Sequence, residues 1–371
     1  MGDYTWRLAE ELISRGHECQ LIAAADWHVQ APSFSTRTFF RESDEGIQLL
    51  RLPATLPWSE RVPRARKVAE AFVPDWISWQ FVLYGFDSRG LGFGLGKNLS
   101  EIAGDRRNHM MFHESWAGES AGSTFKERAL GLLQRRSVCG VLKKLAPPVL
   151  HTHTPLYQLL LRELGAEAKL LPLFGNIPVT PYPRFDWLAD KWPEMYPHLS
   201  GDERASWWVF VIFGTIHPEW NAADFRQRAI AAAEQAGKRC AFISIGRPGD
   251  LAGPTLQQLR ADQNDSWRAL ELGPQSDEDI SQCLLTADFG VSPGPPELLS
   301  KSGTTAALIE HGLPVIATRE SSVYAKYTPE MLVPEMSRIV RDFNLKLVKT
   351  EPGSLLPGVA GQFIEDLQRA Q

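Results

Sequence analysis

The sequence has few cysteines, and none of them lies where two could act together. Its 371 residues include four cysteines, which form no CxxC pair and adjoin no cluster of histidines: Cys19, Cys139, Cys240 and Cys283. This usage is typical of a reducing compartment and gives the cysteines a role in packing. We therefore expect a cytoplasmic protein.

Long apolar runs and a strong charge of one sign are also missing. No run approaches the roughly 18–20 apolar residues of a membrane-spanning helix, and the N-terminal stretch MGDYTWRLAEEL does not resemble a signal peptide. The 39 Lys and Arg residues against 44 Asp and Glu give a net charge of −5. This balance argues against nucleic acid or an anionic membrane as the main partner.

Several common catalytic motifs are missing as well. The sequence contains no GxxxxGK[ST] phosphate loop, no HExxH zinc motif and no GxSxG nucleophile elbow. His151 and His153 share a face of an extended segment, as zinc ligands can, but no third ligand follows at a suitable spacing. The acidic run 277–279 stands at a predicted helix start, where the helix dipole favours acids. We therefore expect no metal site.

Apolar strands alternate with helical segments along almost the whole chain. The run WWVFVIF at 207–213 has the continuous hydrophobicity of a buried parallel strand. This alternation predicts an α/β fold with doubly wound parallel sheets. A stretch rich in Pro and Trp, 178–206, interrupts it. We expect a first domain over 1–190, a second over 191–355, and a C-terminal helix, 356–371, that crosses back to the first.

Ligands of open parallel sheets bind beyond the carboxyl ends of the strands, and several polar loops fall there. The segment Lys301, Ser302, Gly303, Thr304 and Thr305 joins a buried strand to a helix start, where N–H groups and hydroxyls can hold phosphate; an ordinary capped helix explains it equally well. The other loops follow neighbouring strands and contain Gly214, Thr215, His217, Arg247, Leu272, Gly273 and Gln275. In the first half, His113 and Glu114 end a strand.

The order of these segments resembles that of GT-B glycosyltransferases, and most of all the group called family 4. GDYTWRLAEEL followed by RGH resembles the first helix of such enzymes. LGPQSDEDISQCLLTADFGVSP followed by GTTAALIEHGLPVIAT resembles their donor-binding segment. The resemblance spans nearly the whole chain. It implies two Rossmann-like domains facing a cleft, and a sugar transfer from a nucleoside-diphosphate sugar to an acceptor.

The resemblance also implies roles for individual residues. The turn with Leu272, Gly273 and Gln275 would lie against the nucleobase, and 301–305 would hold the donor diphosphate opposite Gly214 and Thr215. His113 would face the donor sugar or the acceptor, with Glu114 beside it. Helix N–H groups and basic side chains would stabilise the leaving group, so no metal and no cofactor other than the donor substrate is expected.

Three features depart from the family pattern. Aligned on 312–314, the family's paired glutamates fall at Leu299 and Ala307, so Glu297 is the nearby acid assigned to the donor. The basic residues that usually follow the first strand of the second domain are missing from GTIHPEW, and we expect Lys301 or Arg247 to supply that charge. The first domain also lacks the strand that normally precedes its first helix.

Two other functions fit the same architecture. A nucleotide-sugar epimerase would need acid and base groups around the sugar, for which His113, Glu114 and His217 are candidates. A non-catalytic or truncated nucleotide-sugar-binding protein would explain the missing glutamates and strand. A retaining glycosyltransferase that needs no metal is the main prediction.

Overall fold

A computed structural model describes residues 2–37, 46–184, 186–218, 220–261, 263–319, 327, 331, 339–340, 345 and 348–370. The chain divides into two compact units. Unit 1 comprises Met1–Pro172, Ser322–Leu332 and Leu356–Gln371, and unit 2 comprises Leu173–Ser321 and Val333–Leu355. The division at Pro172/Leu173 precedes the expected 190/191, because Ile177, Trp187 and Leu188 pack in the core of unit 2.

Unit 1 begins with a helix and alternates strands with helices up to residue 170. Its elements are α1 (Gly2–Ser14), β1 (Gln20–Asp26), β2 (Ser33–Arg37), β3 (Ile47–Pro53), α2 (Trp58–Phe72), β4 (Trp76–Phe81), α3 (Leu83–Phe86), α4 (Leu95–Ala103), β5 (Arg107–Phe112), α5 (Phe125–Leu145), β6 (Val149–Thr152), α6 (Pro155–Glu163) and β7 (Lys169–Leu170).

Unit 2 contains a longer and more regular alternation. After a short 3₁₀ turn, Asp186–Leu188, its elements are α7 (Tyr196–Ser200), β8 (Trp207–Phe213), α8 (Ala222–Gln235), β9 (Arg239–Ile245), α9 (Gly253–Arg260), β10 (Trp267–Gly273), α10 (Asp277–Thr286), β11 (Phe289–Ser292), α11 (Gly303–Glu310), β12 (Val315–Ala317) and β13 (Ile339–Val340). Two further 3₁₀ turns cover Asp202–Ser206 and Pro296–Lys301. The last helix, α12 (Leu356–Arg369), belongs to unit 1.

The strands of unit 1 form two separate sheets. One has the order β1-β3-β2, with β2 antiparallel to β3, and the other has the order β4-β5-β6-β7, all parallel. Within the described residues β1 pairs only with β3. β1 is only half-buried along most of its length, whereas β6 is buried throughout.

Unit 2 contains one six-stranded parallel sheet with the order β10-β9-β8-β11-β12-β13. Every residue of β8 is buried, as its continuous hydrophobicity predicts, and apolar side chains cover both faces of the sheet. β9 and β10 lie on one side of β8, and β11 and β12 on the other. The strand order therefore reverses at β8/β11, which is where open α/β sheets bind their ligands.

Candidate functional site

Three tight turns stand side by side at the carboxyl edge of the unit 2 sheet. Each contains a glycine in the left-handed region, with φ of 82° at Gly214, 93° at Gly246 and 64° at Gly273. The N–H of Gly214 donates to Ile245 O (2.9 Å), and that of Gly246 donates to Gly273 O (2.8 Å). These bonds tie the exits of β8, β9 and β10 into one row, in which Gly214 and Gly273 are half-buried and Gly246 is buried.

Helix α11 begins directly against the first of these turns. A Cβ atom placed on Gly214 would come within 2.8 Å of Thr304 Cγ2, so this approach requires glycine. Ser302 caps the helix by accepting from the N–H of Thr305 (3.2 Å), and its hydroxyl also bonds that of Thr304 (2.9 Å). The Thr305 hydroxyl bonds Ser292 (3.2 Å) and is buried.

The cap leaves two backbone donors at the start of α11. Thr305 uses its N–H in the cap, so the prediction that it offers this group to a ligand is wrong. The N–H groups of Gly303 and Thr304 find no acceptor within the described part of the chain. Free N–H groups at a helix start, with the positive end of the helix dipole behind them, are suited to an anion.

The basic side chains expected at this edge take different positions. Arg247 follows Gly246, is exposed, and has no acidic partner within the described residues. Lys301 ends a 3₁₀ turn and is half-buried. Thr215, after Gly214, is exposed, whereas Glu297 is almost completely buried. The structure therefore brings Gly214, Thr215 and Arg247 to the same edge as the α11 start.

The turn after β10 is held by its own side chains. Gln275 Nε2 donates to Leu272 O (2.8 Å), and Lys191 Nζ donates to Gln275 Oε1 (2.5 Å) and to Asp279 Oδ2 (2.6 Å). Ser276 caps α10 by accepting from the N–H of Asp279 (3.1 Å). The acidic run 277–279 thus stands at a helix start, as its sequence position predicts, and Asp279 also pairs with Lys191.

Glu310, like Glu297, is an acid near the positions of the family's glutamates. It contacts Leu355 and Gly175. Its Oε1 accepts from the N–H of Leu355 (2.7 Å), and a Cβ atom on Gly175 would come within 2.5 Å of its Oε2. His311 beside it bonds Ser281 (2.8 Å) and Ala307 O (2.7 Å) and is buried. Glu310 therefore holds Leu355, the last residue of unit 2, in place.

His113, one of the two predicted site residues of unit 1, lies in a polar network. The histidines of this network are buried, whereas Ser78 within it is exposed. His113 and Glu114 directly follow β5, where Glu114 is half-buried and His113 is 9% exposed. Seven hydrogen bonds of 2.8–3.0 Å join eight residues into one chain across the four-stranded sheet. We call this chain the histidine row; in order, it contains Leu171 (through its carbonyl oxygen), His153, His113, Gln80, Ser78, His109, His151 and Asp366.

Strand register explains why these residues meet. Ser78 lies opposite His109 on the neighbouring strand, and His151 lies opposite Met111. Side chains two residues apart on a strand point to the same face, so His109 shares the face of Met111 and therefore that of His151. Asp366 reaches the row from α12, and Tyr4 of α1 meets the ring of His113 edge-on at 5.0 Å. Sequence analysis noted three of the histidines but had no signal for their partners.

The row has one hydrogen fewer than it has links. If all four imidazoles are neutral, each has one N–H, Ser78 has one O–H, and the Gln80 amide can donate toward only one of its two neighbours. Six hydrogens therefore serve seven links, because both ends of the row, a carbonyl and a carboxylate, are acceptors. A single added proton would complete every link.

Burial favours the neutral form of three of these histidines. It lowers the pKa of His109 and His113 well below the ordinary value, and a neighbouring histidine lowers each further. Burial also lowers the pKa of His151, against its hydrogen bond to Asp366. For Asp366 burial would raise the pKa, but hydrogen bonds from Lys169 and His151 bring it below its usual range.

Both ring nitrogens of His113 are hydrogen-bonded within unit 1, to Gln80 (2.9 Å) and to His153 (3.0 Å). His151 and His153 likewise use both ring nitrogens in hydrogen bonds of the row. In the described part of the chain no group of three or more His, Cys, Asp or Glu residues could hold a metal ion.

No protein-family model matches the sequence, and no curated protein matches it. Among solved structures, the catalytic domain of starch synthase IV from Arabidopsis thaliana, bound to ADP and acarbose, is similar with a TM-score of 0.55 at 12% identity, over 100% of this chain and 95% of that one. UDP-GlcNAc 2-epimerase from Methanocaldococcus jannaschii has a TM-score of 0.47 at 9% identity, over 99% and 96%. An α,α-trehalose 6-phosphate synthase from Burkholderia multivorans has 0.47 at 11%, over 92% and 80%.

At these identities the similarity concerns the fold alone, and the assignment to family 4 stays a prediction. The starch synthase domain matches over both units, each of which contains parallel strands joined by helices. The chain is therefore built from two Rossmann-like domains and has the fold of the GT-B glycosyltransferases, as the sequence predicts.

Proposed function

We propose that the protein transfers a sugar, of the hexose class, from a nucleoside-diphosphate sugar to an acceptor. The observation that carries this proposal is the carboxyl edge of the unit 2 sheet, where the row of glycine turns meets the free N–H groups of Gly303 and Thr304. The GT-B fold supports it, because the sheet edge at the strand-order reversal is where such folds bind ligands.

In this proposal the diphosphate lies on the start of α11. The N–H groups of Gly303 and Thr304 donate to its oxygens, and Gly214 leaves room for it because no side chain intervenes. Arg247 and Lys301 supply positive charge from either side. When the bond between the sugar and the diphosphate breaks, the leaving oxygen gains negative charge, and donors already aimed at it stabilise that charge.

The remaining donor contacts follow from the neighbouring turns. The turn with Leu272, Gly273 and Gln275 would lie against the nucleobase, with Gln275 held in place by Lys191. Thr215 would approach the diphosphate from the β8 exit. Glu297 would serve the sugar or ribose only through a local rearrangement, because its side chain is buried.

On the acceptor side we propose His113 and Glu114 at the end of β5. Glu114 is half-buried and follows the strand directly. A contact between His113 and the substrate requires the ring to exchange one of its two hydrogen bonds for one with the substrate. The transfer needs no metal in this proposal, since N–H groups and basic side chains neutralise the diphosphate, and it retains the anomeric configuration.

Two substitutions at one residue test the donor site. Gly303→Pro removes one N–H at the first helical position, where proline fits: the preceding residue is already extended and a Cβ at 303 meets nothing within 4 Å. Gly303→Ala adds the same Cβ but keeps the N–H. We expect Gly303→Pro to weaken binding of the preferred nucleoside diphosphate about tenfold or more, as for a hydrogen bond to a charged group. Gly303→Ala is expected to bind as the wild type.

Thermal shifts with UDP, GDP, ADP, CDP and dTDP identify that nucleotide first. At about 100 times its dissociation constant a ligand adds ~2.7 kcal/mol of stability. Arg247→Ala is expected to weaken binding of that nucleotide about tenfold. Arg260→Ala is the matched control, because Arg260 lies in the same unit but pairs with Glu271 (3.2 Å). No shift with any nucleotide at millimolar concentration would contradict the proposal.

Turnover distinguishes this function from its alternatives. With the nucleotide known, its sugar conjugates are incubated with and without acceptors and the products followed by NMR. A new sugar epimer without acceptor would indicate an epimerase, and a bound donor with neither transfer nor hydrolysis would indicate a binding protein. Transfer that survives EDTA and retains the anomeric configuration is the expected result.

A further inference from the structure

The outward face of α5 combines exposed apolar and basic side chains. Phe125 is 86% exposed, Leu132 63% and Leu133 42%. The basic residues Lys126, Arg128, Arg136, Lys143 and Lys144 are exposed along the same 21-residue helix. The opposite side of α5, which contains Gly131, Gln134, Val138, Val141 and Leu145, is buried. The apolar residues of the outward face therefore do not belong to the core of unit 1.

These five basic side chains have no acidic partner. In the described part of the chain no carboxylate lies within 4.0 Å of any of them, whereas Arg135 on the flank pairs with Glu119 (3.8 Å) and Glu163 (3.6 Å). Other surface helices pair their arginines with acids one turn away: Glu11–Arg15, Glu60–Arg64, Arg66–Glu70, Asp224–Arg228 and Glu365–Arg369. The outward face of α5 is thus a positive patch on a chain whose net charge is −5.

We propose that this face binds an anionic lipid surface. Helices that lie in a membrane interface present Phe and Leu together with Lys and Arg, and their apolar side chains enter the boundary of the acyl chains. Basic residues near an anionic leaflet each contribute about 1 kcal/mol, or about fivefold in affinity. At 1.5 Å per residue, α5 is about 30 Å long and offers these groups along its whole length.

The charge and shape of the face favour a lipid surface over a folded partner. Phe125 and Leu132 protrude from one convex helix, so a protein would need pockets shaped to receive them, whereas a lipid interface adapts to them. No helix of the described residues is long and apolar enough to cross a membrane. The binding proposed here is peripheral and reversible.

Sedimentation with vesicles tests the proposal. Vesicles of phosphatidylcholine alone are compared with vesicles in which phosphatidylglycerol replaces part of it. We expect the wild type to sediment with the anionic vesicles only, and less as salt rises, because the Debye length falls from about 30 Å at 0.01 M to about 8 Å at 0.15 M. Equal sedimentation with both vesicle types, or none with either, would overturn the proposal.

Two variants separate the charged and apolar contributions. Arg136→Gln with Lys143→Gln is expected to weaken binding to anionic vesicles about 30-fold, from about fivefold per residue. Phe125→Ser with Leu132→Ser is expected to weaken it about tenfold or more, with little change in salt dependence. All four side chains are exposed, so thermal unfolding is expected to stay as in the wild type.

The matched control is Arg64→Gln with Arg66→Gln on α2, which removes the same charge from the same unit. It is expected to bind as the wild type, and an equal loss in the control would show that net charge, not this face, is recognised. The chain could instead form a dimer and bind no vesicles. If Phe125→Ser with Leu132→Ser then dissociates that dimer, the face is a self-association surface and the lipid proposal fails. Nucleotide binding by unit 2 is expected to be unchanged in all these variants, so the proposals can fail separately.

Discussion

Acidification from about pH 7.5 to about pH 5.5 is expected to lower the free energy of unfolding by up to about 5.5 kcal/mol. Four buried histidines have a pKa below the ordinary 6.5: His109, His113 and His151 in unit 1, and His311 in unit 2. The unfolded chain binds protons at these residues that the folded chain does not, so stability is lost as pH falls below 6.5. Each histidine contributes up to about 1.4 kcal/mol over this interval, which is the limit for a group that stays neutral in the folded chain throughout.

The two units are expected to respond differently. Unit 1 contains three of the four histidines and would lose up to about 4 kcal/mol, whereas unit 2 would lose up to about 1.4 kcal/mol. Carboxyl groups with a lowered pKa, such as Asp366, lose their contribution only below about pH 4. The interval therefore reports on the histidines.

The missing hydrogen of the histidine row refines this expectation. One proton taken up by the folded row would complete all seven links. The free energy of unfolding of the wild type would then fall by up to about 1.4 kcal/mol less on acidification. Asp366→Asn supplies that hydrogen as an amide N–H without a charge. This variant would therefore take up no proton and show the full loss in unit 1.

Urea unfolding followed by tryptophan fluorescence and circular dichroism measures these changes. His17→Gln, at an exposed position, is the control and is expected to leave the curve where it was. A free energy of unfolding that stays level over this interval would show that the buried histidines are protonated in the folded chain. That result would refute the reasoning from burial.

Three further outcomes are expected from substitutions at described positions. Asp366→Ala leaves His151 and Lys169 without their acceptor and should cost about 3 kcal/mol in urea unfolding, whereas Asp366→Asn should cost clearly less. Gly214→Ala should cost about 2–4 kcal/mol of unfolding free energy, because of its left-handed backbone and the close approach of Thr304. Adding Thr304→Ser removes the methyl group that the new Cβ would meet and should recover part of that loss. If nothing is recovered, the strain lies elsewhere. Ser302→Ala removes the α11 cap and should cost about 1 kcal/mol, and an unchanged melting temperature would contradict the cap's contribution.

The order of elements could be predicted because hydrophobic patterning is local. WWVFVIF became the buried strand β8, and the helix start after Ser302 was placed correctly. Local patterns do not predict the contact between Gly214 and Thr304, since it joins segments far apart in the chain and depends on β8 and β11 being neighbours. Only the family resemblance placed 301–305 opposite Gly214. The Thr305 N–H was misassigned because sequence does not show which donor a cap uses.

The histidines illustrate the same limit. The i, i+2 spacing of His151 and His153 correctly predicts a shared face, but what that face meets depends on strand register. The register places His109 and His113 within hydrogen-bond distance of these two rings. Asp366 joins the row from α12, which follows unit 2 in the sequence but belongs to unit 1. No local pattern marks that position, because an acid on an amphipathic helix is usually solvated.

The division of the unit 1 strands into two sheets has a consequence for amide hydrogen exchange. Within the described residues β1 is paired only with β3, and β4 only with β5, so alternate N–H groups of both strands point toward an edge without a ladder acceptor. Those amides are expected to exchange with solvent far faster than the amides of β8, which is paired on both sides. Unit 1 thus contains two hydrogen-bonded networks that can open one at a time, whereas the single ladder of unit 2 opens as one.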